Sequence, residues 1–198
     1  MLPKISSALD AELGLDAGTL ESMTGVRSRP VAKHEHQIGL AVAAAEAALE
    51  AAGLDAGDVD LVLGACAVPY QPIPSTAPLV MARLGMEGGT AAAFDVNATC
   101  LSFLSATEIA AERIASGRSR AALVFSSEIA SRALPWEGQP DVAALFGDGA
   151  AAAVLAPSEG EAGIRATHFE TWPEAWEACQ LASGGTRHDY HTAPDDFA

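Results

Sequence analysis

The sequence predicts an α/β fold: a mixed, mostly parallel sheet covered by helices on both faces. Two observations point there. Short continuous apolar runs recur along the chain, clearest in Val59-Asp60-Leu61-Val62-Leu63-Gly64-Ala65, and such runs suit strands buried on both faces. Longer stretches with apolar residues at helical spacing alternate with them. Successive β-α-β units of this kind build a parallel sheet, because right-handed crossovers return each strand beside an earlier one.

In chain order, residues 35–52 carry Ile38, Val42, Ala45 and Leu49 at helical spacing, with Gly53 placed as a C-cap. Asp58 to Ala67 then supplies a buried strand. Prolines at 69, 72, 74 and 78 force an irregular loop before a short helix around Ala77–Leu84. Ala91–Val96 reads as the next strand, and 101–116 as a helix with Leu104, Ile109 and Ile114 inward and Gly117 ending it. Ala121–Phe125 is a further strand. Ala150–Leu155 and Gly163–Phe169 are expected as a strand pair after the Gly147-Asp148-Gly149 turn.

Composition bounds the class. With 198 residues, 49% hydrophobic and 19% charged, the chain can bury a sizeable core. The Ala-rich runs at 41–52 and 142–156 are interrupted by Glu46, Glu50 and Gly147-Asp148-Gly149, so neither reads as a membrane span. Lys4 is followed by Asp10 and Glu12 rather than by an apolar core, which is unlike a signal peptide and gives a cytoplasmic expectation. The net charge of −15 and pI near 4.5 argue against nucleic acid as a partner. Of its 11 Lys and Arg residues, Arg27, Arg29 and Lys33 form one sequence cluster, and Arg113, Arg118 and Arg120 another. Three cysteines, Cys66, Cys100 and Cys179, have neither the parity of a disulfide framework nor metal-ligand spacing. No metal or cofactor is expected. His34 and His36 flank Glu35 without further ligands in sequence.

The candidate nucleophile is Cys100. It stands where the short strand ending Phe94-Asp95-Val96 gives way to a long amphipathic helix. A helix N-terminus favours thiolate over thiol through its free N–H groups and positive dipole end. A thiolate there can attack a carbonyl carbon while nearby backbone N–H groups hold the developing oxyanion. A buried structural cysteine is the competing reading. Phe146-Gly147-Asp148-Gly149 lacks the Lys-Ser/Thr of a phosphate-cradling loop. It reads instead as a turn whose glycines permit positive φ and close packing.

Asp95-Val96-Asn97-Ala98-Thr99-Cys100, Ala115-Ser116-Gly117-Arg118, Ser127-Glu128 and Leu145-Phe146-Gly147-Asp148-Gly149-Ala150 occur in the order of a known signature. So do Thr24-Gly25-Val26-Arg27-Ser28-Arg29 and Pro74-Ser75-Thr76-Ala77 upstream. Together they resemble the β-ketoacyl-acyl-carrier-protein synthase III family, collinearly from about Met1 to about Leu155. The resemblance implies a thiolase-like layered α/β/α/β/α fold, of which this chain supplies the N-terminal half. Residues 1–170 would be that half, and 171–198 the start of a connection to a second half.

It further implies an acyltransferase in fatty acid or polyketide assembly, cytoplasmic and homodimeric, acting on acyl carrier protein or coenzyme A phosphopantetheine thioesters. Cys100 would form an acyl-cysteine. A His and an Asn of the second half would support attack by a decarboxylated malonyl thioester, and none of His34, His36, His168, His188 and His191 matches that His. Arg27 and Arg29 match the segment near the coenzyme A entrance, although Gly18–Met23 lacks the tryptophan that stacks on adenine in many members. Tyr70 to Ser75, with Ile73, falls in the loop that shapes the acyl pocket of the dimer partner, and Phe146 lies in the segment supporting the active site. In olefin-forming relatives a glutamate base stands where Ile73 falls here, which counts against head-to-head condensation. Without a second half, the helix after Cys100 is expected to leave an apolar side uncovered, Phe103 included. Trp172, Trp176 and Cys179 are unlike the usual synthase, with packing at the junction of the halves as their expected role. The alternative reading is a non-catalytic or truncated thiolase-fold subunit that pairs with another chain.

Overall fold

A computed structural model describes residues 2–160, 163–181, 185–188 and 191 of the chain. The chain forms two compact units, Met1–Gly163 and Ile164–Ala198.

In the first unit a four-stranded sheet has the order β4-β3-β5-β6, built from β3 (Leu61–Gly64), β4 (Ala92–Asp95), β5 (Ala122–Glu128) and β6 (Gly149–Leu155). β3 pairs in parallel with β4 and β5, and β6 runs antiparallel to β5, so the sheet is mixed as expected. Successive side chains of a strand point to opposite faces, and both faces of β3 are buried. On one face Val62, Leu123 and Phe125 pack with Ile38, Ala41, Ala45 and Leu49 of α3 (Gln37–Ala52) and Val80 of α4 (Thr76–Arg83). On the other, Leu61, Leu63, Ala122 and Val124 pack with Ala106 and Ala110 of α5 (Ser102–Ala115). The small residues at 106 and 110, one turn apart, let this helix approach the sheet closely.

Four expectations are corrected. Leu104 is 57% exposed. The buried stripe of α5 runs through Ser102, Ala106 and Ala110, and a residue two positions away from that stripe lies roughly on the opposite side of a 3.6-residue turn. Ile109 and Ile114 flank the stripe and do pack on the sheet, as does Phe103, which is not left uncovered. Gly163–Phe169 carries no strand among the described residues, and Ile164 and Phe169 are exposed. The partner of β6 is β5, and an alternating apolar pattern does not by itself specify a partner. Gly147 and Gly149 do not adopt positive φ.

An antiparallel ribbon of β1 (Leu2–Ile5) and β2 (Ser28–Val31) begins the chain, with α1 (Ser6–Glu12) and α2 (Thr19–Thr24) between its strands. Gly18 caps α2 and has no side chain to offer its N–H groups. The buried carboxylate of Asp10 substitutes, accepting from Gly18 N at 2.8 Å and Leu20 N at 2.9 Å. One further short helix, α6 (Pro140–Ala143), precedes β6.

Among the described residues of the second unit, the chain forms a 3-10 turn at Pro173–Ala175. Within this unit the Arg187 guanidinium lies 5.7 Å from the Trp176 ring centre. Trp172 and Trp176 are both more than half exposed.

Candidate active site

After β4 the chain runs through Val96, Asn97 and Ala98 into a 3-10 turn, Thr99–Leu101, and α5 begins at Ser102. The sharpness of the turn shows in Thr99, whose φ of 51° makes it the one non-glycine residue with positive φ among those described. Such a conformation persists only where the surroundings hold it. Here side chains do so. Asn97 Oδ1 accepts from Thr99 N at 3.0 Å, and Ser102 Oγ accepts from Ala98 N at 2.9 Å while donating to Thr99 O at 2.6 Å. The result presents Cys100 exposed at the end of a strand and the head of a helix. A thiol there can reach a thioester carbonyl.

Around this turn the ends of β3, β4 and β5 are tied together. Asp95 accepts from Thr76 N and Ala77 N, both at 2.7 Å, so its carboxylate caps α4 directly after the loop containing Ile73. Gly64 on the neighbouring strand makes room for it: a Cβ there would overlap Asp95 Oδ1 and stand 3.2 Å from Phe125 Cζ. The buried Gln37 donates from Nε2 to Val68 O at 2.9 Å and Ser127 O at 2.7 Å, and Ser127 Oγ donates to Gln37 O at 2.8 Å. Ala67 N donates to Glu128 Oε1, and Asn97 Nδ2 donates to Ala67 O at 3.5 Å. Burial pushes the Glu128 carboxyl above the usual carboxylate range, against the opposing effect of the Ala67 and Val68 N–H groups.

Burial also pushes the Cys66 thiol up, to about 11. Cys66 is therefore held as the thiol at neutral pH, with about a hundredfold less thiolate than an ordinary cysteine. Maleimide alkylation of the native chain is expected to modify Cys100 and Cys179, both exposed, and to spare Cys66 until denaturant is added. Peptide mass mapping reads this directly.

The second supporting element is the turn before β6. Asp148 is buried and accepts from Ala32 N at 2.7 Å, Ser131 N at 2.9 Å and Ser131 Oγ at 2.7 Å. Its own N–H donates to Pro30 O at 2.9 Å. Gly147 allows this approach, because a Cβ would come within 2.9 Å of Pro30 Cδ and 3.1 Å of Arg29 Cβ. The glycine is needed for space, not for positive φ.

Of the residues singled out from the sequence, Arg29 occupies the least expected place. It is 3% exposed, and its guanidinium donates to Ala144 O from Nη2 at 2.8 Å and Nε at 3.1 Å, and to Ser6 Oγ at 3.0 Å. Burial lowers its pKa, with Asp10 opposing. It braces β2 against the segment leading to Phe146 rather than facing solvent phosphate. Arg27 and Phe146 are exposed, and Ile73 is 87% exposed at the tip of its loop. The structure thus links Arg29 to the Phe146 segment, and the Ile73 loop to the Cys100 strand through Asp95. Among the described residues no group of three or more His, Cys, Asp or Glu could hold a metal ion.

Sequence reasoning gave no role to Gln37, Asn97, Ser102 or Glu128. A polar residue opening an apolar helix, as Gln37 does, and an Asn two residues before a strained position are signals that could have found two of them.

Residues 94–173 match the family described as 3-Oxoacyl-[acyl-carrier-protein (ACP)] synthase III. The chain is 46% identical over 153 residues to the β-ketoacyl-[acyl-carrier-protein] synthase III of Rhodospirillum centenum, covering 75% of this chain and 46% of that protein. Among solved structures, the 3-oxoacyl-(acyl carrier protein) synthase III of Pseudomonas aeruginosa superposes with a TM-score of 0.73 at 36% identity, covering 81% of this chain and 49% of the other. The priming β-ketosynthase of a polyketide biosynthetic pathway superposes with a TM-score of 0.74 at 32% identity, covering 80% and 47%. The chain spans about half the length of these relatives.

Proposed function

We propose, since the chain belongs to the β-ketoacyl-[acyl-carrier-protein] synthase III family, that it carries the acyl-accepting half of a condensing acyltransferase with Cys100 as the nucleophile. The observation that carries this reading is the exposed thiol on a strained, side-chain-bonded turn between β4 and α5. Cys100 Sγ attacks the carbonyl carbon of an acyl thioester, and the oxygen takes the negative charge. Collapse of that tetrahedral species breaks the carbon–sulfur bond to the carrier, leaving the acyl group on Cys100 and releasing the carrier thiol. A malonyl-type thioester then loses carbon dioxide, its C2 attacks the acyl-cysteine, and the Cys100 thiolate departs.

The donors are phosphopantetheine thioesters of acyl carrier protein or coenzyme A, and the product serves fatty acid or polyketide assembly in the cytoplasm. The decarboxylating His and Asn belong to the half of the family fold that this chain does not match. Intact-mass measurement after incubation with an acyl thioester is expected to show one acyl adduct on the wild-type chain and none on Cys100→Ser. An adduct persisting on the variant would overturn the assignment. The chain alone should yield no ketoacyl product, since in the family a backbone N–H of the second half joins that of the cysteine in the oxyanion hole, and loss of one such donor alone typically costs about 10²–10³ in rate.

The assembly proposed for the whole enzyme is a homodimer that includes the β4 edge and the 68–78 loop. β4 lies at the edge of its sheet, and pairing removes such an edge. Light scattering on the enzyme joined to its second half should give a dimer mass at micromolar concentration, and a monomer would contradict the interface.

A further inference from the structure

The bonds beneath the Cys100 turn do not stop at Asn97. Asn97 uses both ends of its amide: Oδ1 accepts from Thr99 N at 3.0 Å, and Nδ2 donates to Ala67 O at 3.5 Å. Ala67 is held from the other side by the Glu128 carboxylate, which accepts its N–H. The path therefore runs from the end of β5, across the segment following β3, to the strained residue preceding the nucleophile. Nothing in this path touches a substrate.

We infer that Glu128 is a positioning residue for Cys100, fixing Ala67 so that Asn97 can hold the Thr99 turn that presents the thiol. The inference rests on the reading of Cys100 as the reactive cysteine. An ionised carboxylate is the stronger acceptor for the Ala67 N–H. Protonation weakens that bond, so the anchor loosens as pH falls through the raised pKa of Glu128. The titratable group interacting with it is the Cys66 thiol after β3, neutral in this range because its pKa stands near 11. Asp95, on the far side of β3, is engaged with the N-terminus of α4, and α3 contributes only the uncharged Gln37 amide.

The test uses N-ethylmaleimide, which needs a thiolate but no acyl transfer, so its failure is distinct from failure of the proposed function. Rates at Cys100 and at the exposed Cys179 are followed by peptide mass mapping in one sample, and their ratio is the readout. The ratio cancels what reagent concentration and pH do to both cysteines alike, so a step in it marks a change in how one of them is presented. Glu128→Ala and Asn97→Ala are each expected to lower the ratio by about tenfold, as loss of one charge-assisted or strain-holding bond would. The double variant should fall no further, since both act on one path. Glu128→Gln, which keeps an acceptor oxygen, should retain most of the ratio at neutral pH. It should also abolish the downward step that the wild type shows above the ordinary carboxylate range.

Additive losses in the double variant would overturn the inference. So would an unchanged ratio in Glu128→Ala alongside a lowered melting temperature, which marks a purely structural role. If the alanine variants fail to fold, the comparison of wild type with Glu128→Gln across pH still decides: the same step in both would refute it.

Discussion

Asp148→Ala is expected to lower the unfolding free energy by about 2–4 kcal/mol, because it strips the shared partner from three donors, one of them the N–H of buried Ala32. The Ala32 N–H, the Ser131 N–H and the Ser131 hydroxyl all end on this one carboxylate, and Ala32 and Asp148 are buried. Asp148→Asn keeps one oxygen and should lose about half as much. Denaturant unfolding of the three proteins checks the order, wild type above Asp148→Asn above Asp148→Ala. Equal midpoints would mean that water reaches the donors. The carboxylate joins the end of β2, the segment after β5 and the turn before β6, so its loss should also loosen the segment bearing Phe146.

Gly64→Ala should be nearly as damaging, by about 1–3 kcal/mol. The added methyl would overlap the Asp95 carboxylate and press on the Phe125 ring, which lies in the interior of the sheet. Asp95 cannot yield without leaving the Thr76 and Ala77 N–H groups at the head of α4. The predicted signature is double: a lowered midpoint, and faster hydrogen exchange at Thr76 and Ala77 than at the interior of α3. A melting temperature equal to wild type would show that the strands spread apart freely at this point.

How much of this was legible in the sequence differs by element. β3 and α3 were readable because their patterns are strong and local: an unbroken apolar run, and a sixteen-residue amphipathic helix ending at Gly53, whose φ of 66° suits glycine. The side of α5 that faces the sheet was misread at Leu104, because the large residues of that helix do not mark its buried stripe. Ser102, Ala106 and Ala110 do, and small residues carry a weak hydrophobic signal. The strand expected at 163–169 does not form, and the partner of β6 is β5. β1, α1, α2 and β2 depend on contacts far apart in sequence, such as Arg29 with Ala144, and no local pattern announces them.

The site divides in the same way. Cys100 was legible because its chemistry is local: one thiol between a strand and a helix. Arg29 was misplaced because its side-chain type suits both a phosphate and a buried carbonyl, and only the tertiary fold decides between them. Glu128 and Asp95 act through backbone groups of other segments, which leave no trace in residue spacing.

The central claim is that the fold singles out one of three cysteines for acyl transfer. Incubating the native chain with an acyl thioester, followed by proteolysis at low pH and tandem mass spectrometry, lets Cys66, Cys100 and Cys179 compete in one sample. The account predicts the acyl group on Cys100, with Cys66 unmodified in its buried site. Acylation confined to Cys66 or Cys179, or spread over Cys100 and Cys179 alike, would contradict it.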